Sequence, residues 1–431
     1  MRFVRTFATF VSVVVGVPLG SVYPSAADST PSCIGANATI VGTEGSDHLI
    51  GSPHDDVIVA RGGADRVSGR GGHDRICGGA GEDRIRGDGA VDWIEGGSGS
   101  DTLLGGASND TIRGGLGADS MSGGSGADLI DVPQALTLAG RSMPIRSRFG
   151  GHVVGAGNDM ASGGEGRDIM RGRGNDVFHG DADNDEITQQ RAGISKFFGG
   201  GGNDLVMVRA DASAAMSGGP GNDEVAGAPG NDILSGGAGD DFLNGDFGDD
   251  AIDGGLGWDE VGFGNPFYDT TPVQANLQTG IATGWGTDSL SGVEELRGTK
   301  GNDVLIGDAG PNAFQGWKGD DVMQGGDGQD TVSFRALPHA VDVDLMAGTA
   351  TGHGSDTLAQ IENVTGTWSD DTITGDAAAN VFLAGGGDDV LAGGDNDDVL
   401  DGQGGHDTGD GGPEIAGDVC RSIEAPTSCE S

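Results

Sequence analysis

From residue 42 to residue 131 the chain sets one apolar position in every nine residues, at Leu49, Ile58, Val67, Ile76, Ile85, Ile94, Leu103, Ile112, Met121 and Ile130. Two residues before each stands an aspartate: Asp47, Asp56, Asp65, Asp74, Asp83, Asp92, Asp101, Asp110, Asp119 and Asp128. The clearest units read GGAGEDRIR (78–86), GGSGSDTLL (96–104) and GGLGADSMS (114–122). Six residues of each unit are turn formers and the remaining three are extended, with one side chain directed inward. The pattern therefore predicts a tight turn and a short strand per unit.

The rhythm continues less regularly. Residues 28–41 precede the first full repeat, and 38–41 have the apolar phase without the acid, so the segment reads as an N-terminal cap, which a repeat stack needs because its end turn has no neighbour. Residues 132–153, with Arg141, Arg146 and Arg148, interrupt the repeats. Block 154–262 carries Asp159, Asp168, Asp176, Asp185 and Asp204, with an expected insertion at 189–198 whose Phe197-Phe198 pair would be local core. Asp223, Asp232, Asp241, Asp250 and Asp259 then run in strict phase. The last third holds a longer duplication with a shift of 68, spanning 263–334 and 335–409. Each copy joins an alternating, strand-like segment to repeats carrying Asp303, Asp321 and Asp330, or Asp371, Asp389, Asp398 and Asp407. Asp288 and Glu294 align with Asp356 and Glu362, while Asn312 and Asn380 put a neutral oxygen at the aspartate position. Residues 410–431 read as a C-terminal cap, preceded by Gly409 in place of the last aliphatic residue.

The repeated GGxGxDxxx unit resembles the glycine- and aspartate-rich nonapeptide of the RTX (hemolysin-type) calcium-binding family. The resemblance implies an all-β fold, a right-handed parallel β-roll or β-helix solenoid with irregular insertions, in which two units make one coil. Strands of successive coils would stack about 4.8 Å apart, placing aspartates eighteen apart above one another in two columns. At that distance and an effective dielectric near 20, two carboxylates repel by roughly 3.5 kcal/mol, against a net domain stability of about 5–15 kcal/mol. A cation between the turns reverses the sign. Carboxylates with backbone carbonyls are hard oxygen donors in a flexible loop, which suits Ca²⁺ better than Mg²⁺. Scattered His and Cys disfavour Zn²⁺. The expected ligands are the aspartates named above, and the expected cofactor is multiple Ca²⁺.

Composition narrows the partners. Gly supplies 88 of 431 residues and aromatics only 5%, which argues against a large three-dimensional core, and the net charge of −44 argues against a nucleic-acid binder. Arg2 and Arg5, the apolar run 6–19 and Ser25-Ala26-Ala27 have the layout of a secretory signal peptide cleaved after Ala27. That run is short for a membrane anchor, and no membrane insertion is expected. Four cysteines, Cys33, Cys77, Cys420 and Cys429, suggest two disulfides among three possible pairings. The pairs 33/77 and 420/429 are favoured because each would pin one end of the stack.

No HExxH helix or GxSxG elbow is present, and repeats fill most of the chain, so no enzyme is expected. The leading expectation is a secreted, non-catalytic calcium-binding repeat protein that folds on binding its ions. The alternative is a calcium-stiffened surface or matrix adhesin presenting its insertions to a glycan or protein. A secreted hydrolase or toxin ranks below both.

Overall fold

In the computed structural model, residues 31–130, 158–172, 174–190, 195–209, 213–264, 269–413 and 417–429 are described. The expected signal peptide and the interruption at 132–153 lie outside them. The described residues contain strands and turns and no helix. Two parallel sheets run side by side along the stack, and the chain crosses from one to the other at every turn. Nineteen described strands form the first sheet, beginning Ile40–Val41, Val57–Gly62, Arg75–Ala80 and Trp93–Ser98. The second begins His48–Ile50, Arg66–Gly71, Arg84–Gly89 and Thr102–Ala107.

The register is the one the eighteen-residue spacing predicts: Ile58 lies opposite Ile76, Ile76 opposite Ile94, and Val67 opposite Ile85. A one-residue slip would turn every inward aliphatic outward. The core is accordingly two lines of single side chains, in which Ile58, Ile76, Ile94, Ile112 and Ile130 are fully buried. Each such burial stabilises by about 1.5–3 kcal/mol. Coil 102–130 stacks directly on 160–170, with Met121 against Ala161 and Ile130 against Met170.

The expected insertion at 189–198 takes a different form. Ser195–Gly201 is a strand of the second sheet in register between Val177–Ala182 and Ala214–Pro220. Residues 191–194 lie outside the described part. Phe197 belongs to the central line, tilted against Phe178 at 5.6 Å, whereas Phe198 faces outward and stacks on His179. Strand alternation is the reason, since neighbouring residues point to opposite faces.

Each copy of the duplication inserts a meander into the second sheet only. After Ala251–Leu256 the order in space is Thr287–Ser291, Ile281–Thr283, Gln274–Asn276 and then Val304–Ile306. The first sheet passes directly from Glu260–Gly262 to Glu295–Arg297 to Ala313–Gln315. The second copy repeats this with Ser355–Ala359, Thr349–Thr351 and Asp342–Asp344.

Both ends are closed. Cys33 bonds to Cys77 and Cys420 to Cys429, the favoured pairings. The C-terminal segment is also a further coil: Val419–Arg421 and Ala425–Thr427 extend the two sheets, and the space above Gly409 is taken by Ile423.

Candidate metal centre

The aspartates form two columns along the edges of the sheets. Within an unbroken run of either column the carboxylate Oδ1 accepts a hydrogen bond from the backbone N–H of the aspartate one coil earlier, as Asp83 does from Asp65 at 2.9 Å and Asp92 from Asp74 at 2.9 Å. One column runs through Asp47, Asp65, Asp83, Asp101, Asp119, Asp159 and Asp176. The other runs through Asp56, Asp74, Asp92, Asp110, Asp128, Asp168, Asp185, Asp204, Asp223, Asp241 and Asp259. In the first column Ser195 follows Asp176, with the Asp176 N–H donating to its hydroxyl, and Ala214 precedes Asp232. Gln189 Nε2 and Ser195 Oγ both donate to the Gly174 carbonyl, so amide and hydroxyl hydrogens occupy this place in the column.

The structure adds members that the nine-residue search passes over. Asp288, Glu294, Asp356, Glu362, Asp418 and Glu424 each accept from the aspartate one coil earlier, at 2.7–3.1 Å. For the first four the signal was the alignment of the two duplicated segments. Asp418 and Glu424 follow irregular spacings and carry no such signal.

The second carboxylate oxygen divides most of the turns into two kinds; Asp176, whose Oδ2 accepts from the Gly174 N–H at 3.0 Å, belongs to neither. Among the described residues, twenty aspartates of the columns have a buried Oδ2 with no hydrogen-bond partner, including Asp65, Asp83, Asp101, Asp241 and Asp407. Asp83 and Asp65 are each 1% exposed. An orphaned buried oxygen of this kind is rare and costly. In these open turns the residue four before the aspartate has positive φ where it is described: Gly79 at +109° before Asp83, Arg61 at +78° before Asp65. That backbone turns its N–H away from the carboxylate. A side chain at Gly79 would collide with the Arg61 carbonyl of the coil below, which fixes glycine there by packing as well as by φ.

In the closed turns the same backbone N–H donates to the carboxylate. Thr43 donates to Asp47 at 2.6 Å, Ser52 to Asp56 at 2.6 Å, Ala228 to Asp232 at 3.1 Å, Thr299 to Asp303 at 2.6 Å and Thr367 to Asp371 at 2.5 Å. Asn312 and Asn380 accept identically from Asp308 and Asp376. Both oxygens of Asp56, Asp232, Asp303 and Asp371 are thus satisfied by the protein.

Electrostatics follow this division in part. Burial, with repulsion from the neighbouring coil's carboxylate, pushes Asp92 and Asp110 up to about 7. Burial likewise raises Asp321 to about 8. Asp56 is held below the ordinary carboxylate value, since burial is outweighed there by hydrogen bonds from Ser52 and Thr39. Asp303 stays raised to about 6, because burial outweighs its Thr299 bonds. Among the described residues, the ion pairs Arg171–Glu186 and Arg297–Glu260 involve none of the in-phase aspartates.

The donor set fits calcium. At many of the open turns the orphaned Oδ2 and a carbonyl of the next coil converge on the space beside a glycine, as Asp83 Oδ2 and the Gly96 carbonyl do at Gly78. No three His, Cys, Asp or Glu side chains converge among the described residues, so a cation there must also draw on backbone carbonyls. Such mixed, hard oxygen donors are what Ca²⁺ takes. When bound, the ion supplies the positive charge that the buried carboxylates lack.

The comparison with known families agrees. The RTX calcium-binding nonapeptide repeat (4 copies) matches residues 35–67, 68–103, 95–130, 153–187, 217–252, 226–261, 297–332, 365–400 and 384–413. These segments cover more than half of the chain, and the chain belongs to this family of calcium-binding repeat proteins. Comparison with individual curated proteins gives no match.

Proposed function

We propose that this protein is a secreted, non-catalytic calcium-binding solenoid whose repeats fold as Ca²⁺ enters between stacked turns. The carrying observation is the run of buried, partnerless Oδ2 atoms along both columns. A metal-free chain must either protonate these groups or unfold, so ion binding and folding are coupled. At low free calcium the chain stays expanded and passes through export. At the roughly millimolar levels that match weak extracellular modules, it condenses. The signal-like composition of residues 1–27 and the disulfides favour a general secretory route, and the absence of an HExxH or GxSxG motif favours a non-catalytic role. Circular dichroism and calorimetric calcium titration test the reading. Loss of β signal in excess EDTA, recovered cooperatively with calcium, is expected; full β signal in EDTA would overturn it.

A further inference from the structure

Open and closed turns follow a rule that the nine-residue period does not show. Each partnerless Oδ2 belongs to an aspartate standing one coil after an Asp or Asn of the same column. A closed turn stands where that earlier place holds something else: Ala38 before Asp56, Ala214 before Asp232, Val273 before Asp303 and Val341 before Asp371. Glu294 and Glu362 precede Asn312 and Asn380 in the same way. With no short acid or amide in the earlier coil, a cation would lack half of its oxygen shell, and Ca²⁺ takes six to eight oxygens. The turn instead supplies its own N–H to the carboxylate. At Thr43, Thr299 and Thr367 the hydroxyl in turn accepts the N–H two residues on, at 2.9–3.2 Å. Both asparagines at the aspartate position fall in closed turns, where a neutral oxygen serves as well.

On the calcium reading above, we propose that calcium is bound only through open turns, and that closed turns are calcium-independent starts from which each column is rebuilt. The aspartates of closed turns then hold no ion in their own turn and serve only as the earlier-coil oxygen of the turn that follows, as Asp371 does for Asp389, although they share the phase of the rest. Asp330 and Asp398 keep the open form above Asn312 and Asn380, so an amide in the earlier coil suffices for the turn that follows.

Native mass spectrometry of the full calcium-loaded chain tests this by counting ions. Asp303→Asn and Asp371→Asn are expected to bind as many ions as the parent chain, and Asn380→Asp to gain none. Asp389→Asn, in an open turn, is expected to lose at least one. Equal losses from Asp371→Asn and Asp389→Asn, or an added ion in Asn380→Asp, would overturn the proposal. Circular dichroism of each variant in calcium confirms that it folds, and anomalous density in calcium-loaded crystals gives an independent readout: an ion held by the Thr299 or Thr367 turn would also overturn it. A parent chain that binds no ions and keeps its β signal in EDTA would instead sink the calcium reading itself.

Discussion

The coils at 42–130 and those at 295–410 share one register and one core line but differ in how their columns are satisfied. In the first region the columns start once, at Asp47 and Asp56, and every later aspartate through Asp128 has a partnerless Oδ2. In the second, each meander breaks a column and a threonine-closed turn restarts it, at Asp303 and again at Asp371. The contrast teaches that phase sets where an aspartate stands, while the coil before it sets whether it needs a cation. On the proposal above, the first region would hold two long calcium columns and the second a series of short ones with self-satisfied starts.

Chelation breaks the comparison most strongly. In excess EDTA, hydrogen exchange is expected to lose protection throughout 65–130, and to retain more of it at 299–315 and 367–383. Uniform loss in both regions would remove the distinction.

Acid is expected to replace calcium in part. Asp92 and Asp110 are pushed up to about 7 in the folded chain, against about 3.9 when unfolded. Between those values the metal-free fold holds protons that the unfolded chain does not, so its stability rises as pH falls and is lost as pH rises through about 7. EDTA-treated protein should therefore gain β signal when taken from pH 8 to pH 5.5, measured by circular dichroism. Calcium affinity should fall over the same range as protons compete.

The shared core line should respond alike in the two regions. In saturating calcium, Ile94→Ala is expected to cost about 2–5 kcal/mol and Phe382→Ala about 3–5 kcal/mol by denaturant unfolding. The disulfides distinguish the ends: by loop length, opening Cys33–Cys77 should cost about 4 kcal/mol and opening Cys420–Cys429 about 2.6 kcal/mol. The smallest effect is local. Thr367→Val removes the hydroxyl bond to Asp371 at 3.0 Å and should cost about 1.5–3 kcal/mol, without lowering the number of bound ions.

Much of the fold was legible because the period is short and unbroken. An aliphatic residue locked two places after an acid defines strand and face together, and the eighteen-residue stacking of Asp65, Asp83 and Asp101 is what the resemblance of that unit to the RTX repeat implies. Where the period slipped, the reading faltered. Ser195 and Ala214 carry no acid, so the period alone reads the regular strand at Ser195–Gly201 as an insertion, and Asp418 and Glu424 stand at irregular spacings. The side chains at Thr43, Thr299 and Thr367 were visible in the sequence, but their meaning was not. Asp88, four before Asp92, has positive φ and belongs to an open turn, whereas Asp308, four before Asn312, donates its N–H and closes one.

The sequence by itself determined the repeating turn and strand and the excess of negative charge, since these are local or follow from a constant period, while the two columns follow only from the resemblance that the repeated unit carries. Only the tertiary structure decided which carboxylates are left without a partner. That depends on the sign of φ at one backbone position and on the residue one coil away, which can be 17, 18, 30 or 40 places distant in the chain.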